Sequence, residues 1–402
     1  MSTPERPAEL AGYLDACATT PPSAGVLGAM AEAQRSAWAN PSSLHGFGLQ
    51  AAELLERSRQ RLAELLGAGR QELIFCSGAS EAIHLALLGL GGALPAGRIL
   101  ISAVEHPATV AAAEQLRSRG WQLAQVPVDR HGVIDLDALK ALLVPPTRLV
   151  SLIWGQSEVG TLQPLAAAGE LCRAAGIPLH VDAVQVVGHR PVDFESLPVD
   201  LLTCTAHKLQ GPRGIALLLR RRSQPLLPLI GGAQEGGQRG GTEAVVLAAG
   251  FAQALAEASE RLTRYGGHDP IAGLRDPLLA NLLALPGVSL SGPLPNGHDG
   301  RLPHHISLLV ATDQGEPLSG RELVRSLWRQ GLAVSSGSAC SSSGRAAGGG
   351  SVVLRAMGFN AAVAASGLRI SLGPWLKPEN LERVPEALDR ARRELASRLI
   401  DR

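Results

Sequence analysis

The feature that most constrains the fold is an alternation of short β-branched or leucine-rich runs with longer alanine-rich segments, which continues to about residue 265. The candidate strands are Glu72–Cys76, Arg98–Ser102, Arg148–Trp154, Pro178–Asp182, Leu201–Thr205 and Ile215–Leu219. The candidate helices between and before them include Leu49–Leu66, Ser80–Leu90, Pro107–Arg119 and Pro164–Ala175. Strands that alternate with helices predict an α/β domain whose mainly parallel sheet is covered by helices on both faces.

The pattern changes after about Gly266, where a loop-rich stretch precedes fewer and more scattered elements. The candidates there are strands near Ile306–Val310, Leu332–Ser335 and Leu368–Leu372, and helices Glu322–Gln330 and Pro378–Leu399. A chain of 402 residues is long enough for two domains. We therefore expect a large domain at 16–264 and a smaller α+β domain at 265–402, with segment 1–15 packed on the smaller one.

Charge and composition exclude several classes of protein. The 37 basic and 36 acidic residues leave a net charge of +1, so the chain has no basic field for nucleic acid and no polybasic patch for a membrane. No run approaches the roughly 20 apolar residues of a membrane span, and the N-terminal sequence lacks the apolar region of a secretory signal. The five cysteines have neither metal-ligand spacing nor a disulfide pattern, which predicts a cytoplasmic protein without a metal site.

Lysine is unusually scarce, because only Lys140, Lys208 and Lys377 occur among the 37 basic residues. A retained lysine can mark chemistry that arginine cannot perform, such as the attack of a neutral amine on a carbonyl. Lys208 lies in TAHKLQGPRG, directly after a candidate strand. By itself this stretch favours an ordinary surface lysine in a loop.

An aspartate follows the preceding candidate strand in HVDAVQVVG. Asp182 could cap a helix, or it could pair with a protonated pyridine nitrogen at the sheet edge where parallel sheets bind ligands. Asp182 and Lys208 end successive strands, which would bring them to one edge of the sheet. An aspartate for the ring nitrogen and a lysine for an imine are the two groups that a pyridoxal phosphate site requires.

A third strand end, in LIFCSGASEAIHLALLGL, leads into a helix through Ser77, Gly78, Ala79 and Ser80. Backbone N–H groups and hydroxyls at a helix start form a phosphate-binding site. The same residues also fit a simple capping box. Both interpretations stay open at this point.

The stretch VSSGSACSSSGRAAGGGS places Cys340 among serine, glycine and alanine. Such residues are typical of a loop and lack the bulk to pack a core. A thiol in this setting is presented rather than buried, which makes Cys340 a candidate nucleophile.

The ordered set of motifs resembles the NifS/IscS-type cysteine desulfurases, which are fold-type I pyridoxal phosphate enzymes of the class V aminotransferase group. The resemblance runs from YLDACATTPP at Tyr13–Pro22 to LRISLGP at Leu368–Pro374. Between them, in family order, lie NPSSLHGFG, CSGASEA, VEHPA, QSEVG, HVDAVQVVG, TAHKLQGPRG, RGGTEAV and VSSGSAC. The resemblance implies the fold-type I transferase architecture for the two domains.

The resemblance also implies a role for each matching residue. Lys208 would form the imine, Asp182 would hold the ring nitrogen, and His106 would stack on the ring and transfer protons. The remaining cofactor-binding residues would be Gln185 at the ring hydroxyl, Gln156 against the ring, and Ala79, Ser80, Thr205 and His207 at the phosphate, with Thr242 reaching the phosphate from the neighbouring subunit of a homodimer. Arg369 would bind the substrate carboxylate, and Asn40 and His45 would face the pocket.

By the same match Cys340 is the nucleophile that takes sulfur from L-cysteine as a persulfide, leaves L-alanine, and passes the sulfur to an acceptor such as an iron–sulfur scaffold protein. Gln156 and Ser157 stand where most relatives have two asparagines, and the side chain of Gln156 is one methylene longer than that of asparagine. A related C–S lyase, selenocysteine lyase or aminotransferase remains an alternative function. A binding or scaffold protein that has lost catalysis is a third, which the presence of Lys208, Asp182 and Cys340 disfavours.

Overall fold

The structure is a computed structural model, and it describes residues 10–297, 299–337 and 350–400. Its strands are β1 (Leu73–Cys76), β2 (Arg98–Ser102), β3 (Gln122–Val126), β4 (Thr147–Ile153), β5 (Leu179–Asp182), β6 (Leu201–Thr205), β7 (Ala216–Arg220), β8 (Val288–Leu290), β9 (His305–Val310) and β10 (Gly367–Ser371). Its helices are α1 (Ala24–Ser36), α2 (Gly46–Leu65), α3 (Ala79–His84), α4 (Leu90–Ala93), α5 (Pro107–Ser118), α6 (Leu136–Leu142), α7 (Leu165–Ala174), α8 (Val245–Arg264), α9 (Ala272–Leu283), α10 (Gly320–Arg329), α11 (Val352–Ala356), α12 (Ala361–Ala364), α13 (Pro378–Leu381) and α14 (Val384–Ile400). A π-helical turn, Leu85–Gly89, joins α3 to α4.

The larger sheet has seven strands in the order β1-β7-β6-β5-β4-β2-β3. The run from β6 to β3 is parallel, whereas β7 is antiparallel to both of its neighbours. The α/β fold with a mainly parallel sheet, predicted from the alternation of elements, is thereby confirmed. Its consequence for function is geometric, because the carboxyl ends of β2, β4, β5 and β6 meet at one edge.

Side chains that alternate along the strands cover the two faces of this sheet. Leu217 and Leu219 of β7 pack in the core formed with α2, α7 and α8. Their neighbours Ala216 and Leu218 pack on the opposite face, against α3, the π-helical turn and α5. Successive side chains of the strand therefore pack into two different apolar cores, as expected for a parallel sheet buried on both faces.

The second sheet is antiparallel, in the order β10-β9-β8. Its apolar side chains share a core with α9, α10 and α14, and Leu14 of the N-terminal segment lies in the same core. We propose on this ground the two-domain division given above, 16–264 and 265–402 with the N-terminal segment added to the second domain. Throughout the described ranges, no helix is both long enough and apolar enough to cross a membrane.

The structure departs from the sequence prediction in three places. The predicted strand Leu332–Ser335 is an extended segment held by isolated bridges, of Ala333 to Tyr13 and of Ser335 to Arg369. Strand β3 lies at the sheet edge with only Val126 fully buried, so its sequence lacks the apolar run that marks the inner strands. Helix α8, with 20 residues, was not among the helices named from the sequence.

Candidate active site

Three of the predicted site residues meet at the carboxyl edge of the seven-stranded sheet. Asp182 ends β5, and Lys208 follows β6 after a single turn of 3₁₀-helix, Ala206–Lys208. His106 precedes α5, which follows β2. Asp182 and Lys208 both act electrostatically on His106 and shift its pKa in opposite directions, so the three groups share one site.

Asp182 is a buried carboxylate with 4% of its surface exposed. Its Oδ1 accepts a hydrogen bond of 3.0 Å from the Val184 N–H. Burial raises the pKa of Asp182, and the nearby His106 and Lys208 only partly oppose that effect. In the part of the chain that the structure describes, no arginine or lysine forms an ion pair with it, so the site is suited to a cationic group.

His106 is the N-cap of α5, where its Nδ1 accepts a hydrogen bond of 3.1 Å from the Ala108 N–H. An acceptor at Nδ1 leaves the proton of the neutral ring on Nε2. Burial lowers the pKa of His106; Asp182 opposes this and Lys208 adds to it. The ring is therefore a neutral imidazole at physiological pH.

Two backbone carbonyls hold the Lys208 side chain. Its Nζ donates to the oxygen of Ala18 at 2.8 Å and also to the oxygen of Cys17. Burial lowers the pKa of Lys208, and the Arg369 guanidinium lowers it further. A lysine with a depressed pKa more readily supplies the neutral amine that attacks a carbonyl.

The same N-terminal segment also contacts two further predicted residues. The Cys17 carbonyl accepts a second hydrogen bond, of 3.0 Å, from Gln185 Nε2. His207 Nδ1 lies 3.1 Å from the hydroxyl of Thr19. Residues 15–20, which we call the 15–20 segment, thus form one wall of the site. The motif YLDACATTPP therefore belongs to the site because its residues contact Lys208, Gln185 and His207.

Arg369, in β10, enters the site from the second sheet. Its Nη1 donates to the Ser157 carbonyl at 2.9 Å, and its Nη2 forms an ion pair of 2.7 Å with Asp15. Burial opposes the charged form, yet Cys17 and Asp15 hold the pKa of Arg369 above its usual value. Its Nε is buried without a hydrogen-bond partner among the described residues. A buried guanidinium with an unused donor is suited to a carboxylate ligand.

The predicted phosphate-binding residues are found at two strand ends. Ala79 and Ser80 begin α3, whose N-cap Gly78 offers no side-chain cap. Ser77 does not face a ligand, because its N–H and hydroxyl both bind Glu81. Thr205 donates its hydroxyl to the Ile215 carbonyl at 3.0 Å. The first N–H groups of the helix are thus available to an anion, while Ser77 maintains the turn.

Three further predicted residues, Gln156, Asn40 and Thr242, form no hydrogen bond with Asp182, Lys208 or His106 in the part of the chain that the structure describes. Gln156 is buried, but its Oε1 accepts from the Val159 N–H at 2.8 Å and its Nε2 donates to the Val104 carbonyl at 3.3 Å. Asn40 and Thr242 are exposed, and Asn40 Oδ1 accepts from the Ser42 N–H. Cys340 lies outside the described residues. Both ends of the Gln156 amide thus have partners within the protein, and its contact with the ring stays a prediction.

Sequence reasoning missed two acidic residues of the site. Glu105, next to His106, accepts from the Ser102 hydroxyl at 2.6 Å and from the Ile153 N–H at 2.8 Å, and so joins the ends of β2 and β4. Burial raises the pKa of Glu105 to about 8. Glu81 pairs with Arg239 at 2.8 Å and anchors the RGGTEAV segment beside the start of α3. Each was present in a motif, yet the partners that give it its place in the site, Ile153 for Glu105 and Arg239 for Glu81, are distant in sequence.

Comparison with known proteins places these residues in a family context. The model of the class V aminotransferases matches residues 12–384. The chain is 35% identical over 382 residues to a cysteine desulfurase IscS of Dictyoglomus turgidum, an alignment that covers 94% of this chain and 93% of that protein. It is 38% identical over 379 residues to a cysteine desulfurase IscS of Aeromonas salmonicida, with 92% and 90% covered.

Solved structures agree with the sequence comparison. A NifS-like protein superposes with a TM-score of 0.84 at 31% identity, covering 96% of this chain and 99% of its own. A NifS-like protein from Rickettsia africae superposes with a TM-score of 0.82 at 28% identity, covering 94% and 98%. A third neighbour, SspA in complex with cysteine, has a TM-score of 0.76 at 29% identity, covering 91% and 100%. The overall architecture is shared with these proteins.

Proposed function

Because this chain belongs to the class V aminotransferase family and, within it, to the cysteine desulfurases, we propose that it converts L-cysteine to L-alanine and transfers the sulfur to Cys340 as a persulfide. The stoichiometry balances, since L-cysteine and one enzyme thiol give L-alanine and one enzyme persulfide. The observation that carries the proposal is the meeting of Asp182 and Lys208 at one buried sheet edge. The Arg369 guanidinium is close enough to Lys208 to lower the pKa of its amine.

The residues present fit pyridoxal 5'-phosphate. Asp182, a buried carboxylate without a cationic partner in the described ranges, would hold a protonated ring nitrogen. Lys208 would bind the aldehyde carbon, and Ala79, Ser80, Thr205 and His207 would hold the phosphate. His106 would lie on the ring, with Gln185 at its hydroxyl. When bound, this cofactor makes the Cα–H of an amino acid acidic by drawing electrons into its pyridinium ring.

The protein groups then have separate tasks. Arg369 fixes the substrate carboxylate, which orients the substrate sulfur. The amine of Lys208, with its pKa depressed by burial, accepts and returns a proton at Cα. The Cys340 thiolate attacks the substrate sulfur, the carbon–sulfur bond breaks, and a proton completes L-alanine. His106, neutral with its proton on Nε2, is placed to move that proton.

We extend the proposal to the assembly and its surroundings. A homodimer would bring Thr242 to the neighbouring site, and exposed apolar side chains on one region of the surface support such an interface: Trp38, Leu44, Phe47 and Leu49. A sulfur acceptor such as an iron–sulfur scaffold protein would receive the persulfide sulfur. The four cysteines in the described ranges are free and buried, which is compatible with a reducing cytoplasm.

Product identification tests this function directly. With L-cysteine and a reductant, the purified protein is expected to release L-alanine and sulfide in equal amounts, measured by chromatography and a sulfide assay. Cys340→Ser should lose sulfide release, because no thiol takes the sulfur, whereas Cys172→Ser, a change of a buried cysteine of α7, should keep it. Pyruvate and ammonia in place of L-alanine, or full sulfide release by Cys340→Ser, would identify a C–S lyase instead.

Asp15 is expected to weaken the capture of substrate by Arg369, because its charge competes with the substrate carboxylate at the same guanidinium. Asp15→Asn keeps an oxygen that accepts from Nη2 but removes the charge. Its KM for L-cysteine should fall by about 3- to 10-fold, as expected for a partly buried charge at short range. Asp15→Ala, which also removes the oxygen, should raise KM. Steady-state kinetics beside the remote Asp276→Asn control checks both, and a higher KM in Asp15→Asn would contradict the competition.

A further inference from the structure

Glu158, two residues after Gln156 in QSEVG, has a contact pattern that the proposed mechanism does not use. Its Oε1 is buried and has no hydrogen-bond partner among residues 10–297, 299–337 and 350–400. Its backbone is fixed in a tight turn, where Gln156 Oε1 accepts its N–H. This hydrogen bond fixes the backbone that carries the Glu158 carboxylate.

Gly337, which directly precedes 338–349, and Ser351, the second residue after it, both lie near this carboxylate. On one side, a Cβ built on Gly337 would be 2.2 Å from Glu158 Oε1, so the backbone of Gly337 is in direct contact with it. On the other side, the Ser351 hydroxyl is close enough to the Glu158 carboxylate to lower its pKa. One side chain therefore touches both ends of the segment that carries Cys340.

Each end is also attached to the fold. Ser351 is the N-cap of α11, where its Oγ accepts from the Leu354 N–H at 3.0 Å, and its own N–H donates to the Ala364 carbonyl at 3.0 Å. Two residues before Gly337, Ser335 exchanges two backbone hydrogen bonds with Arg369, of 2.7 and 3.1 Å. The ends of 338–349 are consequently fixed with respect to α11 and β10.

Glu158 is connected to Arg369 through the residue that precedes it, Ser157. The carbonyl of the preceding residue, Ser157, accepts from Arg369 Nη1 at 2.9 Å. The guanidinium that is to bind the substrate carboxylate thereby positions the turn that carries Glu158. Arg369 would therefore position both the substrate carboxylate and the turn that lies against the ends of 338–349.

We propose that Glu158 is a positioning residue that fixes both ends of the Cys340-bearing segment relative to Arg369. The inference rests on the proposed function, because Cys340 and Arg369 act there on the same substrate molecule. Cys340 is three residues beyond Gly337 in sequence, so the position of that end limits the volume that the thiol can search. A smaller volume raises the effective concentration of the thiol at the substrate sulfur.

The role depends on shape and hydrogen bonding more than on charge. Burial raises the pKa of Glu158 to about 7, while the nearby Ser351 hydroxyl and the Arg369 charge act in the opposite direction. A large fraction of the side chain is therefore protonated and neutral near neutral pH. A neutral amide of the same size should replace it, which predicts rescue by glutamine but not by alanine.

The test uses the full-length holoenzyme in a single turnover, with the persulfide on Cys340 followed by mass spectrometry. Glu158→Ala should form it about 10- to 100-fold more slowly, a loss typical of impaired positioning, with KM for L-cysteine within about 3-fold of wild type. Glu158→Gln should stay within about 3-fold of the wild-type rate. Ser351→Ala should be slowed. Ser366→Ala, which removes a buried hydroxyl that donates to the Val363 carbonyl, should not.

A double mutant tests the contact itself. Gly337→Ala should slow persulfide formation because its methyl group would overlap the Glu158 carboxylate. Gly337→Ala combined with Glu158→Ala should be no slower than Glu158→Ala alone, since the overlapping atoms are gone. Additive losses, a wild-type rate in Glu158→Ala, or equal losses in Glu158→Ala and Glu158→Gln would each overturn the proposal.

Hydrogen exchange separates this inference from the proposed function. Glu158→Ala should increase amide exchange at 335–337 and 350–354, and Glu158→Gln should not. If the wild-type protein forms no persulfide on Cys340, the desulfurase proposal fails while the exchange experiment still tests the anchoring. Unchanged exchange in Glu158→Ala would reject the anchoring even in an active enzyme.

Discussion

Lys208→Ala is expected to fold, to lose the visible absorbance of a lysine-bound pyridoxal cofactor, and to lose at least about a thousand-fold in the rate of L-alanine formation, the scale on which a catalytic unit fails when one member is removed. The amine that binds the aldehyde and moves the proton at Cα is then absent. Only two hydrogen bonds, to the Cys17 and Ala18 carbonyls, are lost from the fold. Absorbance spectra and product analysis measure both effects.

Two further variants make this result specific to the chemistry of the amine. Lys208→Arg keeps a positive charge and can donate to the same two carbonyls, but a guanidinium does not lose its proton, so it should be as inactive as Lys208→Ala. Lys140→Ala removes one of the two other lysines, an exposed residue of α6, and should leave absorbance and rate unchanged. Recovery of activity in Lys208→Arg would show that Lys208 supplies charge alone.

The sequence predicted the parts of the site that depend on strand ends. Asp182 and Lys208 were placed at one edge because each follows an apolar run, and the parallel pairing of β5 with β6 brings those ends together. The same reasoning failed for Leu332–Ser335, whose backbone pairs with Tyr13 and Arg369 only through isolated bridges. Apolar composition indicates burial, but it does not distinguish a strand from an extended segment between two sheets.

Residues that act through distant partners could not be predicted in the same way. The contact of Asp15 with Arg369 joins positions more than 350 residues apart. No local pattern encodes such a pair, since it depends on how the N-terminal segment crosses to the second sheet. Glu158 was part of a recognised motif, yet its contact with Gly337 appears only in three dimensions. The roles assigned to Gln156, Asn40 and Thr242 by resemblance stay predictions.

Asp182→Asn is expected to lower the catalytic rate without lowering the stability of the cofactor-free fold. The amide has the shape of the carboxylate but no charge to keep a proton on the ring nitrogen. L-alanine formation should therefore fall by about 100-fold or more, the cost of removing one preorganised electrostatic group from a buried site. Cofactor content, measured after release from the protein, should remain close to wild type because Lys208 and the phosphate-binding residues are unchanged.

The thermal midpoint of the cofactor-free protein, unlike the activity, should not fall in Asp182→Asn. Burial raises the pKa of Asp182, which means that the folded protein holds its ionised form at a cost in free energy. Asp182→Asn removes that cost, so its thermal midpoint without cofactor should equal or exceed that of wild type. The matched control is Asp200→Asn, because Asp200 accepts from the Leu179 N–H at 2.9 Å at the opposite end of β5.

Asp200→Asn should lower the midpoint slightly and keep activity, since its partners, the Leu179 N–H and the Gln224 side-chain amide, are remote from the carboxyl edge. Asp182 thus lies at the carboxyl end of β5, whereas Asp200 precedes β6 and its side chain lies beside the beginning of β5. Only Asp182 is expected to trade stability for chemistry. An active Asp182→Asn enzyme, or one whose cofactor-free form unfolds well below wild type, would show that Asp182 is a structural residue.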